Sequence, residues 1–172
     1  IGSGAREHAI IKSLIRTGTD PDEIVCAPGN EYIAKEVEVR NLEDITNKLE
    51  VTRIALEEAV DLAIIGPEAP LVAGVADALR SQGLKVFGPS QEAAALEGSK
   101  QFAKDVMAAA DIPTGMSRRC DSMAEVHDAM DQFGAPYVIK ADGLAAGKGV
   151  IVTSDKQEAL DHASKFLEQG VL

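Results

Sequence analysis

Residues 137–152 read YVIKADGLAAGKGVIV. One apolar run, Tyr137 to Lys140, leads into a loop of glycines and alanines, and a second, Val150 to Val152, follows it. The pattern predicts two antiparallel strands joined by a turn nearly free of bulky side chains. This is not a Walker A loop: the five-residue glycine spacing is absent, Gly149 stands where Ser or Thr is required, and a strand rather than a helix follows. A turn of this kind lays backbone N–H groups along a run of phosphates while Lys148 neutralises their charge. Lys140 closes an apolar strand, where an ammonium needs a partner or an open cavity. A nucleotide phosphate supplies that partner; the competing reading is a surface hairpin with solvated lysines.

Upstream, Gly98-Ser99-Lys100 opens a helix expected over Ser99 to Ala110. A cation in the first turn opposes the helix dipole, so an anion facing Lys100 accounts for its placement, plain solvent exposure being the alternative. Ile112-Pro113-Thr114 follows, then a short strand near Met116 to Arg119, a helix from Met123 to Phe133 and, beyond the loop, a last helix from about Lys156. Glu92 and Glu97 read as solvated helix residues. A boundary around residues 90 to 99 divides the chain into domains 1–95 and 99–172.

The first domain has a different grammar. Strand candidates Ile24 to Ala27, Val37 to Val39, Leu62 to Ile65 and Val86 to Phe87 alternate with helix candidates Arg6 to Arg16, Asp44 to Val60 and Leu71 to Gln82. That alternation marks an α/β, Rossmann-like parallel sheet. Ile10, Ile11, Leu14 and Ile15 give the first helix its apolar stripe, and Asn41 with Asp44 offers the second a capping start. Ala27-Pro28-Gly29-Asn30, Gly66-Pro67-Glu68-Ala69-Pro70 and Gly88-Pro89-Ser90 all follow strands, and in an open parallel sheet such loops share the ligand-binding rim.

Gly2-Ser3-Gly4-Ala5-Arg6-Glu7 resembles a dinucleotide fingerprint only in part, because Glu7 takes the third glycine position. The strand Ile24 to Ala27 runs on into Ala-Pro-Gly-Asn, where a nicotinamide site requires an acidic residue, and Asp22 and Glu23 precede it instead. What remains is a glycine turn feeding a helix N-terminus, suited to a phosphate or carboxylate, with Arg6 as a forked cation beside it. Glu7 and His8 serve equally well as capping and packing residues.

With 172 residues, 45% of them hydrophobic, the chain has material for one domain and part of another. A formal charge of -11 opposes binding to nucleic acid. No run is long and apolar enough for a membrane span, and no signal peptide precedes the first turn, so a cytoplasmic location is expected. Cys26 and Cys120 read as free thiols. Starting at Ile1 without methionine and ending after a helix, the sequence reads as a fragment.

The runs GSGAREHA (2–9), APGN (27–30), IGPEAPLVAGVADALR (65–80), FGPSQEAAALEGSKQFAKD (87–105), IPTG (112–115) and APYVIKADGLAAGKGVIV (135–152) together resemble the glycinamide ribonucleotide synthetase family, in the same order and over essentially the whole chain. The resemblance implies a pre-ATP-grasp domain followed by the small α+β lobe of an ATP-grasp domain. It places Lys100 and Lys140 on ATP phosphates. Gly143, Leu144, Ala145, Ala146, Gly147, Lys148 and Gly149 match the flap that closes over the triphosphate, with Lys140 and Lys148 as electrostatic stabilisers. Gly4, Arg6, Glu7, Asn30, Pro67 and Glu68 match the crevice where 5-phosphoribosylamine is expected. Ala5 departs from the family's usual glycine and narrows the turn slightly.

The reaction so implied activates glycine's carboxylate with ATP as an acyl phosphate, which the amine of phosphoribosylamine then attacks. Mg2+ or Mn2+ is the implied metal, its ligands expected in the larger lobe and none in these residues, so the piece alone is expected to be inactive. The implied parent is a monomer of purine synthesis with no nucleic-acid or membrane partner. Alternatives are a carboxylase-like or aminoimidazole ribonucleotide ligase of the same group, a nicotinamide oxidoreductase, and a non-catalytic nucleotide-binding module.

Overall fold

The computed structural model describes residues 1–143, 149–168 and 170. It divides into two compact units, Ile1–Ala95 and Leu96–Leu172.

In the first unit, helix α1 (Ala5–Arg16) follows the glycine turn and buries Ile11, with Leu14 and Ile15 packed against the same cluster of Ile24, Cys26, Ile33 and Val37. Strands β1 (Val25–Cys26) and β2 (Glu38–Val39) pair in parallel. Helix α2 (Lys48–Glu57) then leads to β3 (Leu62–Ile64), and α3 (Glu68–Val72) and α4 (Val75–Ser81) lead to β4 (Lys85–Phe87), again parallel to its partner. Ile1 and Gly2 stitch the two pairs together. Gly2 donates its N–H to Ala27 O at 2.8 Å and accepts from Gly29 N at 3.1 Å, while Gly66 N donates to Ile1 O at 3.2 Å. The result is one parallel run in the order β2, β1, residues 1–2, β3, β4. Strands β1, β2 and β3 are shorter than expected and β4 is one residue longer, yet all four occupy the expected places.

Two helix expectations need correction. The second helix starts at Asn47, whose Oδ1 accepts from the Leu49 and Glu50 N–H groups at 3.2 Å; Asp44 instead caps a turn of its own, accepting from the backbone and hydroxyl of Thr46. The run Leu71 to Gln82 is not one helix. Gly74 sits at φ +86 and ends α3, a left-handed conformation open to glycine at little cost, and a Cβ there would lie 2.7 Å from Gln91 Oε1. The apolar stripe runs straight through this break, so periodicity alone does not reveal it.

Helix α5 (Gln91–Gly98) spans the division between the units. In the second unit, α6 (Lys100–Ala109) is capped by Ser99, whose hydroxyl oxygen accepts from Phe102 N at 3.1 Å. The strand expected near Met116 to Arg119 does not form: these residues are exposed and lack regular structure, because no strand among the described residues takes up their backbone groups. Lys104 ties the preceding turn to α6 through Thr114 Oγ1 at 2.7 Å and Gly115 O at 2.6 Å. Helix α7 (Met123–Phe133) and α8 (Lys156–Leu167) lie against the hairpin of β5 (Tyr137–Lys140) and β6 (Val150–Thr153). This pair is antiparallel, with Tyr137 opposite Thr153 and Lys140 opposite Val150. Tyr137 and Ile139 pack onto Val126, Met130, Ala159, Leu160 and Ala163. Strand alternation therefore puts Val138 and Lys140 on the other face, where Val138, Val150 and Val152 are exposed. Among the described residues no helix is long and apolar enough to cross a membrane.

Candidate functional site

Parallel strands carry their carboxyl ends to one edge, so the turn at Gly2 to Gly4 and the loops Ala27 to Asn30 and Gly66 to Glu68 converge there. Arg6 reaches across the gap from α1: its guanidinium donates to Gly66 O at 2.6 Å and to Glu68 Oε1 at 3.0 Å. Glu68 is held below the ordinary carboxylate range by its own backbone N–H and then by Arg6, which keeps it ionised. Asn30 locks the neighbouring loop, donating from Nδ2 to Ser3 O at 2.7 Å while its Oδ1 accepts from Tyr32 and Ile33 N–H. Pro67 is the N-cap residue of α3, and Gly4 that of α1.

Glu7 has a particular place in this edge. It is the one buried charged residue among the described residues, 7% exposed, and its Oε2 accepts from Gly4 N at 2.6 Å. An internal carboxylate thus occupies the positive end of α1 that a bound anion would otherwise seek. It fills the space over two glycines as well: a Cβ on Gly2 would lie 2.6 Å from Glu7 Cδ, and one on Gly66 would lie 2.0 Å from Glu7 Oε1. Gly66→Ala is therefore expected to cost about 1–3 kcal/mol by overpacking, and adding Glu7→Ala is expected to recover part of that loss. Urea titrations of the single and double variants measure the coupling, and strictly additive losses would refute the contact. His8, by contrast, belongs to a packing cluster with Glu36 at 3.0 Å, shared with Lys12 at 3.1 Å.

In the second unit the sequence-derived residues gather at the root of the hairpin. Lys140 ends β5, and Ala141 N donates to Gly149 O at 2.7 Å, carrying the pairing one step past the strands. Lys100 approaches from the first turn of α6, and its Nζ donates to Gly143 O at 2.8 Å, three residues beyond Lys140. Both lysines are exposed. Leu144, Ala145, Ala146, Gly147 and Lys148 lie outside the described residues. Sequence reasoning missed Asp142, which accepts from Lys100 N at 2.7 Å and from the Ser99 hydroxyl at 3.1 Å. Burial opposes its ionisation, but these donors and the Gly143 N–H outweigh it and hold its pKa below the ordinary value. The only signal for it was an acidic residue between a strand and a glycine.

An open groove of about 500 Å3, lined by residues including Lys48, Leu49, Thr52 and Leu56 of α2 and Ala78 and Ser81 of α4, shares no residue with either cluster.

A parallel-sheet unit followed by a helix-backed hairpin with lysines at its root is the architecture of the ATP-grasp class. Solved structures agree. Phosphoribosylamine–glycine ligase from Thermotoga maritima matches with a TM-score of 0.76 at 31% identity, over 99% of this chain and 40% of that one. The biotin carboxylase domain of the Hydrogenobacter thermophilus 2-oxoglutarate carboxylase matches at 0.73 and 19% identity, over 98% of this chain and 39% of that one, a likeness of fold alone.

The chain belongs to the phosphoribosylglycinamide synthetase family: the model of that family's N domain matches residues 1–97, and that of its ATP-grasp (A) domain matches residues 98–172. Among curated relatives, the phosphoribosylamine–glycine ligase of Leifsonia xyli subsp. xyli is 57% identical over 172 residues, and that of Streptomyces coelicolor is 55% identical over 166. These matches take in 99% and 95% of this chain but 40% and 39% of the relatives' own length.

Proposed function

We propose that this chain is part of an ATP-dependent ligase that joins glycine to 5-phosphoribosylamine, giving glycinamide ribonucleotide, ADP and phosphate in purine synthesis. In this reading residues 1–95 are the pre-ATP-grasp domain, whose edge at Gly4, Arg6, Asn30, Pro67 and Glu68 receives the phosphoribosylamine, with the buried Glu7 bracing that edge from beneath, and residues 99–172 are the small ATP-grasp lobe. The observation that carries it is the meeting of Lys100 with the end of the strand bearing Lys140, at the root of a glycine-rich loop. Two cations there suit a triphosphate, since phosphoryl transfer relies on placement and charge stabilisation more than on covalent chemistry.

A carboxylate is a poor electrophile, so the reaction runs in two steps. A glycine carboxylate oxygen attacks the γ-phosphorus, ADP leaves, and glycyl phosphate forms. The amine nitrogen of phosphoribosylamine attacks the glycyl carbonyl, phosphate departs and the nitrogen loses a proton. Lys100 and Lys140 bind and orient the phosphates, and Gly143 and Gly149 keep the ends of the loop free of side chains.

Mg2+ or Mn2+ bound with ATP supplies further charge neutralisation. Among the described residues no group of three or more His, Cys, Asp and Glu is placed to hold a metal ion. The reading assigns the protein's metal ligands, and the remaining groups needed for turnover, to the part of the relatives' length that this chain does not span; the 172 residues alone are then inactive. A cytoplasmic monomer without nucleic-acid or membrane partners completes the proposal.

In a polypeptide of the relatives' full length carrying this sequence, ADP formation is expected only when glycine and phosphoribosylamine are both supplied. Coupled nucleotide assays test it. ADP release driven by bicarbonate instead would replace this reading with a carboxylase-like one.

A further inference from the structure

Asp142 stands outside every role assigned so far, yet it joins two segments far apart in the chain. Its Oδ1 accepts from Lys100 N at 2.7 Å and from its neighbour Gly143 N at 3.1 Å, and its Oδ2 accepts from the Ser99 hydroxyl at 3.1 Å. Ser99 already caps α6 by accepting from Phe102 N, and Asp142 adds a second acceptor, for Lys100 N. Something else explains a charge brought to the helix from 42 residues away.

The position of Lys100 supplies the reason. A lysine in the first turn of a helix sits beside the positive end of the dipole, and the pair repel. Asp142 places a negative charge at that end of the helix, on the Lys100 N–H. Lys100 is then gripped twice, its backbone N–H by Asp142 and its ammonium by the carbonyl of Gly143 at 2.8 Å. Those two residues follow Lys140 by two and three positions. We propose that Asp142 is a positioning residue for ATP, fastening the start of α6 to the end of β5 so that Lys100 and Lys140 address the same triphosphate.

This role rests on the ATP-binding reading above and adds a consequence to it. Asp142 takes up the first N–H of α6, so the triphosphate meets the Lys100 side chain rather than the helix terminus. Gly143 O releases the ammonium as the phosphates arrive.

The test compares Asp142→Ala and Asp142→Asn in the polypeptide of the relatives' full length, since asparagine keeps an acceptor for Lys100 N. Asp142→Ala is expected to raise KM for ATP about tenfold and leave KM for glycine unchanged, with Asp142→Asn restoring most of the loss. Amide hydrogen exchange is expected to speed up at Lys100 in the alanine variant while amides of α8 keep their protection. An unchanged KM for ATP in Asp142→Ala, alongside a wild type that makes ADP from glycine and phosphoribosylamine, overturns the positioning role and leaves the ligase reading standing. Equal rises in both KM values with a lower melting temperature reduce Asp142 to a structural brace and overturn it too. A wild type that makes no ADP under those conditions removes the ATP reading itself.

Discussion

Lys140→Ala, in the polypeptide of the relatives' full length, is expected to lower kcat/KM for ATP by about 10²- to 10³-fold, the effect of deleting one preorganised electrostatic stabiliser. The reason is where the ammonium is mounted. Lys140 is the last residue of a paired strand, held opposite Val150, and the next residue extends the pairing to Gly149. Tyr137 and Ile139 anchor the same strand on α7 and α8, so its backbone is seated before any ligand arrives. A cation carried on a seated strand needs little backbone reorganisation when charge develops on a transferring phosphoryl group. Arginine at this position keeps the charge but changes its shape, so Lys140→Arg is expected to recover only part of the activity. Steady-state rates of ADP formation against ATP concentration decide the matter, and wild-type kinetics in Lys140→Ala would remove this lysine from the site.

Leu79→Ala is expected to destabilise the first unit by about 2–5 kcal/mol, the sum of lost transfer energy and a residual cavity. Leu79 is fully buried in α4, in the cluster that joins Val51, Ile54 and Ala55 of α2 to Ala63, Ile65, Val75 and Ala76. Its carbonyl also accepts the N–H groups of Gln82 and Leu84, which turn the chain from α4 towards β4. The parallel pair β3–β4 presents the loop with Gly66 and Glu68, so losing this packing loosens the crevice along with the core. A urea titration followed by circular dichroism measures the loss; a shift of under about 1 kcal/mol would show that the surrounding helices close over the gap.

The second unit was legible in part. Helix α7 and strand β5 have the limits that the apolar pattern and its glycine punctuation predict, because both signals act within a few residues. The first unit was legible as a sequence of elements and less so in its details. The break at Gly74 is hidden inside an unbroken apolar stripe, and the N-cap at Asn47 competes with an equally plausible Asp44 three residues earlier. The strand expected at Met116 to Arg119 shows the opposite failure, a local preference with no partner among the described residues to satisfy it.

The amino-acid sequence by itself determined the alternation of strands and helices, the glycine-rich hairpin and the family, since each of these depends on residue order over short distances. Only the tertiary structure decided that Glu7 turns inward over Gly2 and Gly66, that Arg6 forks between Gly66 and Glu68, and that Asp142 grips the first turn of α6. These contacts join residues as many as 62 positions apart. Their hydrogen bonds form only after packing has brought the partners within about 3 Å, so no local pattern of residues encodes them.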